Sequence, residues 1–189
     1  MTHPWHDLPT RPPGSNAASF HAVIEIPKGS KVKYELDKVY GVLRVDRILH
    51  SSVVYPANYG FIPRTFCDDG DPLDVLVLAS EPVTPLAMVQ ARAIGGFRML
   101  DAGAQDDKII AVHLGDPAFC DYTELGELPR HIEREIRRFF QDYKVLEQKT
   151  VIVEETIAAE QARAVVDAAV ALYADNEDRL RHSSAPPRR

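Results

Sequence analysis

The chain has little of what most structural and catalytic shortcuts require. Its 189 residues include two cysteines, Cys67 and Cys120, far apart and in no Cys-x-x-Cys spacing. That excludes a disulfide framework and a clustered zinc site, and it points to a reducing, cytosolic setting. No apolar run approaches the roughly 18 residues of a membrane-spanning helix. The opening Met1-Thr2-His3-Pro4-Trp5-His6 lacks the basic-then-apolar order of a secretory signal. Basic residues are in deficit: the net charge of −6 argues against a general nucleic-acid binder. Walker, Gly-x-Gly-x-x-Gly, His-Glu-x-x-His and Gly-x-Ser-x-Gly motifs are all missing, and there is no internal repeat.

A hydrophobic fraction of 45% is enough for one core, and the length suits one domain with tails. Four of the 14 prolines fall in the first 13 residues, so residues 1–19 are expected to be a flexible arm. Residues 176–189 are expected to be a loose tail. Strand patterns fall on 22–26, 32–36, 42–49, 73–79, 88–94, 108–114 and 150–153. Several short, closely spaced strands suggest a barrel or a sandwich. Leu128, Ile132, Ile136, Phe139, Phe140 and Tyr143 then repeat at helical spacing behind Pro129. A second, alanine-rich helix is expected from about 158 to 175 or beyond, with Ala162, Val165, Ala169 and Leu172 as its stripe. Strands first and helices last give an α+β chain.

Charge sits where strands should be apolar. Lys33 and Glu35 share one face of 32–36, Arg47 falls in parity with Leu43, Val45 and Leu49, and Glu25 and Asp74 interrupt apolar runs. Together these favour a polar cavity over outward-facing strands. Aspartates also cluster: Asp68, Asp69, Asp71 and Asp74 in one window, Asp101, Asp106 and Asp107 in another. Oxygen-only donors suit Mg²⁺ or Mn²⁺. Calcium in an EF-hand fails on spacing, because the twelfth position counted from Asp69 is Ser80. Gly70 permits a tight turn between Asp69 and Asp71. Lys33, Arg47, Lys108 and Lys144, with Tyr55, Tyr59 and Tyr143, supply cations and phenols suited to a charged phosphate ligand. Cys67 reads as packing.

Asp69-Gly70-Asp71-Pro72-Leu73-Asp74-Val75 resembles the signature of the family I soluble inorganic pyrophosphatases, in their bacterial form. Ile24-Glu25-Ile26-Pro27, Lys33-Tyr34-Glu35, Val45-Asp46-Arg47, Tyr55 through Phe61, Asp101 through Lys108, and Phe139-Phe140-x-x-Tyr143-Lys144-x-Leu146-Glu147 match in order. The similarity spans residues 20–175. It implies an OB-like five-stranded β-barrel with C-terminal helices packed outside. It also implies hydrolysis of inorganic diphosphate to two orthophosphates, with several Mg²⁺ ions activating a water nucleophile, in a cytoplasmic homohexamer that engages neither nucleic acid nor membrane. By the same resemblance Asp69, Asp74 and Asp106 hold a first metal, with Asp74 also on a second. Asp101 and Asp106 hold a further one, and Glu25 contacts another through water. Asp71 is the general base. Lys33, Arg47, Tyr59, Lys108, Tyr143 and Lys144 bind phosphoryl oxygens, while Glu35 and Tyr55 support them. The loop Ala102-Gly103-Ala104-Gln105 is less acidic than the family's usual form. The rival readings are an OB-type single-strand binding module, a nucleotide or organic-diphosphate phosphohydrolase, and an inactive metal-binding relative.

Overall fold

The computed structural model describes residues 2–14, 18–101 and 103–183. In chain order the strands are β1 (Ser19–Ile26), β2 (Val32–Leu36), β3 (Leu43–Ile48), β4 (Asn58–Phe61), β5 (Asp74–Leu78), β6 (Met88–Asp101), β7 (Ala104–Gln105), β8 (Lys108–His113) and β9 (Val151–Ala158). The helices are α1 (Arg130–Asp142), before β9, and α2 (Ala159–Ser183), after it. Strands β1, β4, β5, β8 and β6 pair in that order, and β6 pairs back onto β1. The sheet therefore closes into a five-stranded ring, which removes its edges. This is an OB-like barrel within an α+β fold. Neighbours run antiparallel except β5 and β8, which are parallel. The β2–β3 hairpin stands off the ring as a separate sheet.

Closure forces close backbone approach. Gly60 in β4 lies so near β1 that a Cβ would sit 1.9 Å from the Val23 carbonyl oxygen. Only glycine fits there. The four-residue β4 hides inside the stretch Tyr55 through Phe61, which reads in sequence as a turn flanked by tyrosines. Strand β6 runs past its apolar stretch of 88–94 to residue 101, because β8 and β9 flank its second half. Ile136, Phe139 and Phe140 of α1 close one end of the barrel over Phe97 and Met99. The α2 stripe is rotated from expectation: Ala162, Val166, Ala169, Tyr173 and Leu180 are buried, while Val165 and Leu172 are only partly covered. Helix α2 also continues through Leu180 to Ser183, where a loose tail was expected. Among the described residues no helix is long and apolar enough to cross a membrane.

The N-terminal segment departs most from expectation. Residues 2–14 pack against the barrel. Trp5 is 1% exposed and clusters with Val23, Leu36, Phe61, Tyr173 and Leu180. Its indole N–H donates to the Thr65 carbonyl at 2.8 Å, and the His6 ring lies 2.8 Å from the Tyr173 hydroxyl. Arg181 reaches back from α2 to Asp7 at 2.9 Å. Prolines restrict the chain before it folds, so they lower the cost of ordering such a segment rather than preventing it. Residues 15–17 lie outside the described part. Trp5→Ala should cost about 3–5 kcal/mol. Thermal unfolding checks this, and an unchanged midpoint would contradict the packing described.

Candidate active site

Parallel pairing sets Val75 of β5 beside Ile109 of β8. The residues just before them, Asp74 and Lys108, therefore begin neighbouring strands side by side. Lys108 is 3% exposed, and its ammonium is shared by the carboxylates of Asp74 and Asp106. Burial alone would discharge it; the two carboxylates overcome that and hold its pKa above the ordinary lysine value.

Glu25 owes its position to a β-bulge. The β1–β4 register slips between Ile24 and Ile26, leaving Glu25 as the extra residue. A bulge re-aims a side chain that strict alternation would fix. One Glu25 oxygen accepts the Leu36 backbone N–H at 2.7 Å, tying β1 to the hairpin. Burial, then the nearby Asp74 carboxylate, push its carboxyl up to about 8.

On the hairpin, Lys33 pairs with Glu35 across one strand face and reaches Asp46 at 3.1 Å. Arg47 bonds Asp46 at 2.5 Å and Glu147 at 2.9 Å. A register slip between Lys33 and Tyr34 upsets simple parity in this hairpin, and Val45 and Ile48 are exposed. Arg47 consequently does not share a buried apolar face, as parity had suggested. In the Asp-rich loop Gly70 takes φ +89°, and the Asp71 N–H donates to the Asp69 carboxylate at 3.0 Å.

These pieces face one cavity of about 480 Å³. Of the residues singled out in sequence, Glu25, Lys33, Glu35, Tyr59, Asp69, Asp71, Asp74, Asp106, Lys108, Tyr143 and Lys144 line it. Arg47 and Tyr55 do not. Arg47 stands behind Lys33, linked through Asp46, and its buried Nη2 has no hydrogen-bond partner. Tyr55 is buried edge-on to Tyr59 at 5.4 Å and against Phe139 at 4.7 Å. Asp101 ends β6, and its side chain lies outside the described residues. Burial, then Asp74, raise the Tyr59 phenol well above its ordinary pKa. Tyr55 is raised by burial first and then by Tyr143. Both phenols therefore stay protonated donors at neutral pH.

Sequence reasoning passed over Lys38, which lines the cavity and pairs with Asp71. Asp46 and Glu147, which sit inside the matching motifs, prove to be the partners that hold Lys33 and Arg47. Cys67 behaves as packing, its thiol pushed up to about 12 by burial. Behind the Asp-rich loop a second hollow, about 420 Å³, shares Asp69, Asp74 and Asp106 and is walled by Val165 and Leu172 of α2.

The donor chemistry fits hard divalent cations. Seven carboxylates (Glu25, Glu35, Asp37, Asp69, Asp71, Asp74 and Asp106) face the main cavity, and among the described residues no histidine or cysteine does. Among the described residues no three such groups already converge as a cage. Ammonium groups stand between them instead: Lys108 lies between Asp74 and Asp106, and Lys38 pairs with Asp71.

The family model for inorganic pyrophosphatase matches residues 22–174. Soluble inorganic pyrophosphatase 2 of Chlamydomonas reinhardtii is 54% identical over 176 residues, covering 93% of this chain and 90% of that protein. Soluble inorganic pyrophosphatase 1 of Arabidopsis thaliana is 54% identical over 173 residues, 92% of this chain and 81% of its own. The crystal structure of inorganic pyrophosphatase from Thermus thermophilus superposes with a TM-score of 0.84 at 36% identity, over 90% of this chain and 98% of that one.

Glu25 gives the site a pH signature. Its folded pKa of about 8 lies above the ordinary glutamate value of 4.5, so between those values the folded chain holds a proton that the unfolded chain releases. Stability from this group falls as pH rises through that window. His6, lowered by burial to about 4, acts oppositely between there and 6.5. Glu25→Gln isolates the first effect. In chelator, its melting midpoint relative to wild type should climb from pH 5 to pH 8. A difference independent of pH would show that Glu25 titrates normally.

Proposed function

The chain belongs to the inorganic pyrophosphatase family, and from that premise we propose that it hydrolyses inorganic diphosphate to two orthophosphates in the cavity around Asp71. The observation that carries this reading is the meeting of seven aspartate and glutamate side chains with Lys33, Lys108, Lys144, Tyr59 and Tyr143 in one cavity. Acidic walls alone repel diphosphate, so cations must enter with it. Cationic and phenolic donors alone would bind phosphate without a partner for the attacking water.

Mg²⁺ suits the all-oxygen donor set, with Mn²⁺ as the alternative ion. Asp69, Asp74 and Asp106 would hold the first ion, Asp74 also the second, Asp101 and Asp106 a further one, and Glu25 another through water. When bound, such ions lower the pKa of a water and offset phosphoryl charge. Asp71 accepts the proton of the attacking water. Its neighbour Asp69 anchors the turn by accepting the Asp71 N–H, and the Asp71 carboxylate, paired with Lys38, faces the cavity. Lys33, Lys108 and Lys144 bring charge to the phosphoryl oxygens, and Tyr59 and Tyr143 donate hydroxyl hydrogen bonds. Arg47, behind Lys33 and linked to it through Asp46, adds guanidinium charge from outside the cavity lining. Glu35 orients Lys33, and Tyr55 buttresses Tyr59. Preset donors of this kind stabilise charge on the departing phosphate without reorganising. A homohexamer in the cytoplasm, acting on diphosphate without nucleic-acid or membrane partners, completes the proposal.

Phosphate release with Mg²⁺ tests it. Diphosphate should be cleaved far faster than ATP or a phosphate monoester; equal rates on ATP would favour a nucleotide phosphohydrolase. Asp71→Asn should lose about 10²- to 10⁴-fold in kcat while keeping near-normal Mg²⁺ affinity. Asp74→Asn should lose Mg²⁺ affinity as well. If instead Asp71→Asn keeps the full rate at neutral pH, the proton acceptor lies elsewhere.

A further inference from the structure

Lys38 sits in the β2–β3 turn, between the N-terminal segment and the Asp-rich loop. The Asp37 carboxylate shapes that turn by accepting the N–H groups of Val39 and Tyr40, at 3.0 and 2.9 Å. On one side the Lys38 ammonium pairs with the Asp71 carboxylate and donates to the Gly70 carbonyl at 2.9 Å. On the other it lies 6.0 Å from the centre of the Trp5 ring. The Lys38 carbonyl is within 3.0 Å of the His3 ring Nε2. Gly41, three residues on, abuts His3 closely enough that a Cβ would meet its ring at 3.1 Å. A continuous chain of contacts therefore runs from the buried Trp5 through Lys38 to Asp71. It starts outside the 22–174 stretch that the family model matches.

We propose that Lys38 is a positioning residue for Asp71 and that the N-terminal segment, through His3 and Trp5, holds Lys38 in place. The inference rests on reading Asp71 as the proton acceptor. An exposed ion pair contributes little to stability, so the value of this one lies in geometry. Two donors from one ammonium, to Gly70 and to Asp71, fix both the turn and the carboxylate that leaves it. A general base misplaced by about 1 Å can lose 10²-fold in rate. Lys38 also lines the cavity, so the alternative is direct contact with diphosphate. The two roles separate kinetically: positioning acts on kcat, ground-state binding on KM.

The experiment compares Lys38→Met, Lys38→Arg, His3→Ala and the Lys38→Met/His3→Ala pair, with Mg²⁺ and diphosphate, alongside Asp71→Asn. Lys38→Met should lower kcat about 10- to 100-fold with KM within a factor of about two and an unchanged melting midpoint. Lys38→Arg should recover most of the loss. His3→Ala alone should lower kcat a few-fold and should add nothing in the Lys38→Met background, because it acts through Lys38. A raised KM with wild-type kcat in Lys38→Met would make Lys38 a substrate contact and overturn the proposal. So would an additive His3→Ala effect, which would uncouple the N-terminal segment from Lys38. A wild-type Lys38→Met beside a crippled Asp71→Asn would refute positioning while leaving the base assignment standing. A wild-type Asp71→Asn would refute the base assignment itself.

Discussion

A lysine ammonium buried between two carboxylates is the interaction on which this site depends. Lys108 is placed there by the single parallel pairing in the barrel, which starts β5 and β8 side by side. Removing a charge from water is costly, and the cost is met only if the partners are close and well oriented. Asp74 and Asp106 meet that condition, and the consequence spreads outward. Asp74 raises the Glu25 carboxyl and the Tyr59 phenol. The same carboxylates that hold the ammonium are the ones suited to hold divalent cations. Binding diphosphate then becomes a matter of adding cations that offset the carboxylate charge Lys108 leaves over, not of burying bare charge.

The rest of the fold serves that arrangement. Closing five strands into a ring brings β1 against β4 so tightly that Gly60 has no room for a side chain. The bulge in β1 turns Glu25 out of the apolar alternation and toward the cavity. Helix α1 closes the barrel and delivers Tyr143, stacked on Phe139 at 5.3 Å, to the rim. The hairpin, outside the ring, supplies Lys33 and Glu35, with Arg47 standing behind Lys33 through Asp46. Functional side chains thus come from strand starts, a bulge and a helix end, where backbone geometry is most tightly determined.

Much of this is legible in the sequence. The apolar runs mark seven of the nine strands among the described residues, stopping short of the ends of β6 and β9, and the helical spacing of Ile132, Ile136 and Phe139 marks α1. The misplaced charges, Glu25 above all, announce a polar cavity before any coordinates exist. What escapes is non-local. Residues 58–61 form a strand only because β1 and β5 flank them, and their own pattern says turn. Parity misplaces Arg47 because a slip in pairing register leaves no trace in one strand's composition. The proline-rich start suggests a loose arm, whereas Trp5 and His6 find a pocket assembled from β1, β2, β4 and α2. Lys38 goes unnoticed because an isolated lysine in a turn carries no signal until its partner Asp71, 33 positions later, is placed beside it.

The central claim is that the cavity accepts diphosphate only when cations balance its carboxylates. Calorimetric titration of the wild-type protein with imidodiphosphate, an analogue not readily cleaved, tests this most directly. With chelator present the acidic wall and the engaged Lys108 should leave no measurable binding, and adding Mg²⁺ should restore tight binding. Equal affinity with and without the metal would mean that the lysines alone neutralise the ligand, and it would contradict the account.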